Sequence, residues 1–175
     1  MHDSPDHDAA GSPPWFDPAV LAATGGGLGR IPLAPGTFGA AAGVIISLAV
    51  AAVHFPPVAE AAVIVAINLA GIPICTAAAR RLGRGTDPGA IVYDEMASLP
   101  LGLLAVPAAA RSTLPEAAAL LLAAFLLHRV FDIAKPFPCR QLEHLPAGLG
   151  IMADDWGAAL WMAVILTVCR WSGWV

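Results

Sequence analysis

The chain is organised around five apolar stretches, whose lengths set the first limit on its fold. Each has 14 to 22 residues, most are rich in alanine and leucine, and none alternates apolar and polar residues with a period of two. Such segments favour helices over an antiparallel sheet. The sequence therefore predicts an all-α protein, a compact bundle of about five to six apolar helices. The stretches are Phe38–Val53, Val58–Ala79, Met96–Ala110, Leu114–Leu127 and Trp156–Cys169.

The lengths of these stretches are close to that of a membrane-spanning helix, which needs about 20 residues. Hydrophobic residues make up 58% of the chain and charged residues only 13%, whereas charged residues are about a quarter of soluble domains. The bundle is therefore expected to be embedded in a membrane, although Pro100 and Pro107 interrupt the third stretch. A net charge of −4 offers no basic surface, so no nucleic-acid partner is expected.

The two ends of the chain differ in composition. Residues 1–17 are acidic and rich in proline and serine, which predicts a disordered acidic tail. Residues 18–175 are predicted to form a single helical domain. The three cysteines are widely spaced and predict neither a disulfide framework nor a zinc site.

Acidic residues collect at the borders of the apolar stretches. Five of the seven acids after position 90 lie in three short motifs there, and the only lysine, Lys135, closely follows one of them. A charge buried in apolar surroundings costs several kcal/mol unless a partner or a metal compensates for it. Carboxylate clusters suit a hard cation such as Mg²⁺, so a shared magnesium site is predicted. The acids are Asp94, Glu95, Asp132, Asp154 and Asp155.

The connections between the stretches bring these motifs to one end of the bundle. If the stretches span a membrane, the positive-inside rule places Arg30 and Arg80 in the cytoplasm. Alternation then brings Asp94-Glu95 and residues 128–155 to the same side and Arg111 to the opposite side. A soluble up-and-down bundle gives the same convergence. We expect an acidic site at one end, facing the cytoplasm from a bacterial inner membrane.

A Pro-Gly-Thr sequence precedes the first apolar stretch and is a candidate phosphate site. Thr37 is predicted to be the N-cap of the following helix. The free N–H groups at a helix N-terminus attract phosphate, which makes Gly36 and Thr37 candidate phosphate ligands. The alternative is an ordinary turn with a capping threonine.

Lys135 lies at a predicted helix end, because the following Pro136 disfavours helical geometry at the residue before it. A lysine there could bind a phosphoryl group, assisted by Arg140. The alternative is an internal ion pair with Asp132, three residues earlier on the same face. A serine nucleophile has little support, because no histidine is locally paired with Ser98.

Four segments of the chain resemble the phosphatidylglycerophosphatase A family, in the order that the family has them. They are LAPGTFGA, IVYDE, RVFDIAKPFPCR and GIMADDWGAA, and the resemblance runs from about residue 28 to 165. It implies an all-helical, Mg²⁺-dependent enzyme that removes the terminal phosphate of phosphatidylglycerophosphate to give phosphatidylglycerol, often in the inner membrane. Two positions where the family commonly has glycine differ, since this chain has Ser98 and Ala158-Ala159 there.

With this resemblance, we expect the five acids to hold one or two Mg²⁺ ions. Asp94, Asp132, Lys135 and Asp155 are the candidate catalytic residues, while Lys135 and Arg140 join Gly36 and Thr37 in binding phosphate. Both a metal-activated water and an aspartate remain candidate nucleophiles. The partners expected are a phospholipid substrate and the membrane.

Two other functions are open at this stage. The protein could be a soluble hydrolase of a phosphomonoester that is not a lipid. It could also be a cation-coupled transporter that is not an enzyme, but transporters usually place ionisable groups near the middle of the membrane rather than at helix borders. The sequence does not indicate an oligomeric state.

Overall fold

The computed structural model describes residues 14–83, 89–112 and 116–172, and these residues form helices and no strand. This confirms the predicted all-α bundle. Two short 3₁₀ segments, Pro14–Phe16 and Gly25–Arg30, flank the first helix. The eight α-helices are α1 Pro18–Ala23, α2 Pro35–Ala52, α3 Pro57–Leu82, α4 Tyr93–Leu103, α5 Ala108–Ser112, α6 Glu116–Ala134, α7 Cys139–Leu142 and α8 Gly148–Trp171.

Four of these helices are long and apolar enough to cross a membrane: α2, α3, α8 and residues Ala117–Ala134 of α6. Large apolar side chains such as Ile45, Leu69 and Leu122 are exposed along their outer faces. An outward face of this kind is stable in lipid rather than in water. The protein is therefore a membrane protein, as its composition predicts.

Part of the segment predicted to be a disordered tail has a defined structure. Residues 1–13 lie outside the described residues, but Asp17, assigned to the disordered tail, is the N-cap of α1. Its Oδ1 accepts a hydrogen bond of 2.9 Å from the Ala19 N–H, and its Oδ2 lies 3.3 Å from Arg81. An aspartate cap followed by Pro18 is a strong helix start, so Asp17 belongs with α1.

The third apolar stretch is two helices rather than one. α4 ends at Leu103 and α5 begins at Ala108, immediately after Pro107. The fourth stretch extends further than predicted, because α6 continues to Ala134 and so carries Asp132 in its last turn. Its predicted start at Leu114 lies outside the described residues.

α8 begins eight residues before the predicted start of its apolar stretch. The N–H of Gly148 donates to Thr76 Oγ1 at 2.9 Å, and a Cβ at Gly148 would lie 2.1 Å from the Ile72 carbonyl oxygen. This close approach to α3 fixes the start of α8. Asp154 and Asp155 therefore lie about two turns inside the helix rather than at its start. Neither residue is the N-cap of α8, because Ala147 takes that position.

A buried ion pair lies at the end of the bundle away from the acidic motifs. Arg111 on α5 donates from Nη2 to Glu60 Oε1 on α3 at 2.5 Å, from Nη1 to Ser47 Oγ on α2 at 3.2 Å, and from Nε to the Val106 carbonyl at 3.0 Å. All of its nitrogen positions have a partner, as buried guanidinium groups require. We call Arg111, Glu60 and Ser47 the far-end cluster.

Candidate active site

Three carboxylates from two helices meet at the opposite end of the bundle. Asp94 and Glu95 lie in the first turn of α4, and Asp155 lies on α8. One oxygen from each lies within 4.8 Å of the others, and all three residues are buried. We call Asp94, Glu95 and Asp155 the acid cluster.

The acid cluster has buried oxygens that no hydrogen bond satisfies within the described residues. They are Asp94 Oδ1, Glu95 Oε2 and Asp155 Oδ1. Three carboxylates at this spacing repel one another when ionised, so their negative charges require a cation between them. Carboxylate oxygens are the ligands that Mg²⁺ prefers, so the donor set fits a hard divalent cation.

Asp132, predicted to bind the metal with these acids, is held by an arginine. Arg129 Nη1, one turn earlier on α6, contacts Asp132 Oδ2 and lies 3.5 Å from Glu95 Oε1. Arg129 thus links the end of α6 to the acid cluster. Asp132 is also an electrostatic neighbour of Asp155, so it borders the acid cluster while being neutralised by Arg129.

Asp154 is bound by the only lysine of the chain. Lys135 Nζ lies 2.8 Å from Asp154 Oδ2 and 2.9 Å from Glu143 Oε2. The alternative of an Asp132–Lys135 pair is therefore not the one that the structure adopts. As predicted, α6 ends before Pro136, and Lys135 has a left-handed backbone with φ of 44°.

The charge of Lys135 is secured by these two partners. Partial burial lowers the pKa of Lys135, but the hydrogen bonds to Asp154 and Glu143 outweigh it and raise the pKa above its ordinary value. The same hydrogen bond lowers the pKa of Glu143. Lys135 is therefore a permanent cation beside the acid cluster at neutral pH.

The start of α2 packs directly on the acid cluster. A Cβ at Gly36 would lie 2.1 Å from Glu95 Oε1 and 2.9 Å from Arg129 Nη1, so only glycine fits there. Thr37 was predicted to be the N-cap of this helix, but α2 begins at Pro35 and Ala34 takes the cap position. Proline is pre-organised for the first position of a helix, which moves the start towards the N-terminus. The Thr37 N–H already donates to the Ala34 carbonyl at 2.9 Å, which leaves Gly36 as the better phosphate donor.

Arg140, the remaining predicted phosphate ligand, lies on α7 and is exposed. α7 packs closely against α8, because a Cβ added at Gly157 would lie only 2.7 Å from Cys139 Sγ. Arg140 thus lies on the outer side of the segment that carries Lys135. Its role in phosphate binding stays a prediction.

A buried serine–histidine pair, which local sequence patterns do not indicate, lies beneath the acid cluster. Ser98 Oγ lies 2.9 Å from His128 Nε2, and both residues are fully buried. Ser98 is one turn after Glu95, and His128 is one turn before Asp132, so the pair forms a layer below the acids. Their separation of 30 positions in the chain hides the pairing from local sequence patterns. Because Ser98 is fully buried, it does not present a nucleophile to a substrate.

Comparison with known proteins identifies the family. The profile of the phosphatidylglycerophosphatase A family matches residues 21–170. The chain is 39% identical to a Bacteroides thetaiotaomicron protein named provisionally as a phosphatidylinositol-3-phosphatase, over 90% of this chain and 96% of that protein. No solved structure shows a significant match.

Two further relatives carry the family's name. A phosphatidylglycerophosphatase A of Haemophilus influenzae is 37% identical over 86% of this chain and 88% of its own length. A phosphatidylglycerophosphatase A of Escherichia coli is 31% identical over 89% of this chain and 83% of its own length. With the buried carboxylates and the bundle of membrane-spanning helices, these matches show that the chain is a phosphatase belonging to the phosphatidylglycerophosphatase A family.

Proposed function

We propose that the protein is a Mg²⁺-dependent lipid phosphatase that hydrolyses the terminal phosphomonoester of phosphatidylglycerophosphate, giving phosphatidylglycerol and phosphate for phospholipid biosynthesis. The observation that carries this proposal is the acid cluster, with its three unpartnered oxygens, at one end of membrane-spanning helices. A phosphate on a lipid headgroup can reach such a site while its acyl chains stay in the bilayer.

The residues around the site divide the work between holding a cation and holding an anion. Asp94, Glu95 and Asp155 supply the ligands for Mg²⁺. When bound, the ion would neutralise phosphate charge and make a coordinated water more acidic. Arg129 and Lys135 attract the phosphate dianion and stabilise charge on its oxygens during transfer, with the Gly36 N–H at the start of α2 as a further donor.

Asp132 is the candidate general base. It borders the acid cluster without belonging to it, and Arg129 fixes the position of its Oδ2. In the reaction, a water oxygen forms a bond to phosphorus and passes a proton to Asp132, the bond between phosphorus and the glycerol oxygen breaks, and that oxygen takes a proton from solvent. Asp154 stays paired with Lys135 and positions it.

The proposed location is the inner membrane, with the acid cluster facing the cytoplasm. Arg80 and Arg81 in the last turn of α3, and Arg129, Lys135 and Arg140 near the acid cluster, put most described cations at the same end. Cytoplasmic loops of membrane proteins carry this excess of basic residues. The enzyme would then meet its substrate in the cytoplasmic leaflet.

The test of this proposal is phosphate release by the purified full-length protein from phosphatidylglycerophosphate in mixed micelles. We expect release with Mg²⁺, loss with EDTA and recovery when excess Mg²⁺ is added. The matched control is Asp17→Asn, which removes a carboxylate that is not part of the acid cluster but keeps a good helix cap, and it should keep full activity. Folded protein that releases no phosphate would refute the proposal.

A second candidate substrate comes from the Bacteroides thetaiotaomicron relative, which is named provisionally as a phosphatidylinositol-3-phosphatase. That substrate is also a lipid phosphomonoester, but its phosphate is on a ring carbon rather than on the primary carbon of glycerol. Measuring kcat/KM for both lipids in the same micelles separates the two. We expect phosphatidylglycerophosphate to be preferred, and the reverse preference would reassign the substrate.

A further inference from the structure

The walls around the acid cluster have unequal heights. Seven residues separate Gly148, at the start of α8, from Asp155, so α8 continues beyond the cluster by about 10 Å. On α3, Cys75 is an electrostatic neighbour of Asp94, and the helix continues to Leu82, again about 10 Å further. By contrast, α2 starts and α6 ends at the level of the cluster.

The charged side chains are less exposed beside the helices that extend beyond the cluster and more exposed at the end of α6. Asp155, between α4 and α8, is 2% exposed. Towards the end of α6, the side chains of Arg129 and Asp132 are each 16% exposed, and that of Lys135 is 25% exposed. Among these described charged side chains, the more exposed ones therefore lie at the end of α6, where the two cations Arg129 and Lys135 are found.

Two large, exposed apolar side chains flank Lys135 in the sequence, at the end of α6 and just after it. Ile133 is 73% exposed and Phe137 is 75% exposed. Phe137 is held in place, because its carbonyl oxygen accepts a hydrogen bond of 2.9 Å from Trp161 Nε1. The Trp161 ring also packs against Phe131 of α6, with centroids 5.9 Å apart. The exposed ring of Phe137 thus projects from a fixed backbone.

We propose that Ile133 and Phe137 form the rim through which a phospholipid of the same leaflet reaches the acid cluster from the side. The rim lies in the upper acyl-chain region, and the phosphomonoester headgroup moves over the ends of α2 and α6 to the cations. This inference rests on the proposed function and adds the route and the residues that recognise the lipid part of the substrate.

The arrangement of charges favours this occupant over a protein partner. Lys135 lies between the two apolar side chains in sequence, and Arg129 lies one turn before Ile133 on α6. An anionic headgroup joined to two acyl chains matches apolar side chains next to cations. A rim continuous with the phosphate-binding residues would hold both parts of the same molecule.

The first experiment places a reporter at the rim and does not depend on activity. In Phe137→Trp protein in phosphatidylglycerol/phosphatidylcholine vesicles, the emission added to that of the five native tryptophans should be quenched by lipids brominated near the carbonyl end of the chain. The control is His144→Trp, at an exposed position of the following loop, which should stay unquenched. Equal behaviour of the two variants would overturn the proposal.

The same experiment distinguishes a protein occupant. If a second copy of the chain covers the rim, the added tryptophan emission will be shifted to the blue but not quenched by brominated lipid, and cross-linking will trap a dimer. That outcome also overturns the proposal.

The second experiment measures preference for acyl chains. For Phe137→Ala, the ratio of kcat/KM for a long-chain phosphatidylglycerophosphate in vesicles to that for a dibutyryl analogue in water should fall about tenfold. The control is Val58→Ala, which removes an equally exposed apolar side chain at the far end of α3 and should leave the ratio unchanged. An unchanged ratio in Phe137→Ala would contradict the rim, whereas a wild-type protein inactive on both substrates would contradict only the proposed function.

Discussion

The two ends of the bundle both bury charged groups, but they compensate them differently. In the far-end cluster, Arg111 and Glu60 are 2% and 4% exposed, and every nitrogen position of the guanidinium has an oxygen partner. In the acid cluster, three buried carboxylates face one another, and one oxygen of each has no hydrogen-bond partner in the described residues. Along α3, the 15 residues from Glu60 to Cys75 separate the two levels by about 22 Å.

The difference shows how to read buried charge in a chain of this composition. A satisfied ion pair is part of the structure, because its loss leaves an uncompensated charge but its presence requires nothing further. Unsatisfied carboxylates of like sign are stable only when a ligand completes them, so they mark a site of function. The same neutralising substitution should therefore have opposite effects on stability at the two ends.

The largest effect on stability is expected from Arg111→Ala. It leaves Glu60 buried without its cation, which should lower the free energy of unfolding by about 3–5 kcal/mol. Thermal unfolding in detergent, followed by circular dichroism, measures this loss. Replacing both partners, Glu60→Leu with Arg111→Met, should cost much less. If Arg111→Ala alone is as stable as the wild type, the far-end cluster contributes no stability.

The acid cluster should respond in the opposite sense. Asp155→Asn is expected to lower kcat/KM by about 10² to 10³-fold, because it removes one of the three carboxylates proposed to hold Mg²⁺. In EDTA, however, the variant should unfold at the same temperature as the wild type or higher, because one of three like charges is gone. Destabilisation in EDTA comparable to that of Arg111→Ala would remove the distinction between the two ends.

Removal of the metal tests the same distinction without changing the acid cluster. Mg²⁺ at 100 times its Kd should raise the free energy of unfolding by about 2.7 kcal/mol relative to EDTA. Glu95→Gln should lose most of this increase, whereas the Glu60→Leu, Arg111→Met double variant should keep it. Scanning calorimetry with and without Mg²⁺ measures both. If Mg²⁺ stabilises Glu95→Gln as much as it stabilises the wild type, the ion binds elsewhere.

The smallest effect is expected at the exposed edge of the acid end. Glu143 has a side chain 43% exposed, so Glu143→Gln should cost only about 0.5 kcal/mol at pH 7. The hydrogen bond from Lys135 lowers the pKa of Glu143. The Lys135–Glu143 pair therefore adds to the free energy of unfolding above the pKa of an unfolded glutamate. This addition is lost as the pH falls through the lower pKa of the folded state. Unfolding of the two proteins should converge in acid, and a difference that grows on acidification would contradict the pairing.

The overall bundle and the position of the acids at one end could be predicted, because both depend on local properties. The lengths of the apolar stretches set the helices, and their alternation brings Asp94, Asp132 and Asp155 to the same side. The start of α8 could not be predicted, because it depends on the contact between Gly148 and Thr76 of α3. Helix ends of this kind are set by tertiary packing rather than by residue preference.

The partners of the charged residues were harder to predict than the residues themselves. Lys135 was predicted to share a helix face with Asp132, but its backbone is left-handed rather than helical, and its Nζ pairs with Asp154 instead. Ser98 and His128 are 30 residues apart, so neither position alone indicates the pair. Such pairings require the distances between helices, which a single sequence does not contain.

The ion pair of the far-end cluster also has a consequence for the biogenesis of the protein. Glu60 and Arg111 are 51 residues apart, and the carboxylate is synthesised first. At 5 to 20 residues per second, about 3 to 10 s pass before the ribosome has made its partner. During this interval the Glu60 carboxylate lacks the Arg111 guanidinium, so it is expected to stay near the lipid headgroups. α3 can therefore settle at its final depth only after α5 has been translated, so the bundle is completed late in synthesis rather than helix by helix.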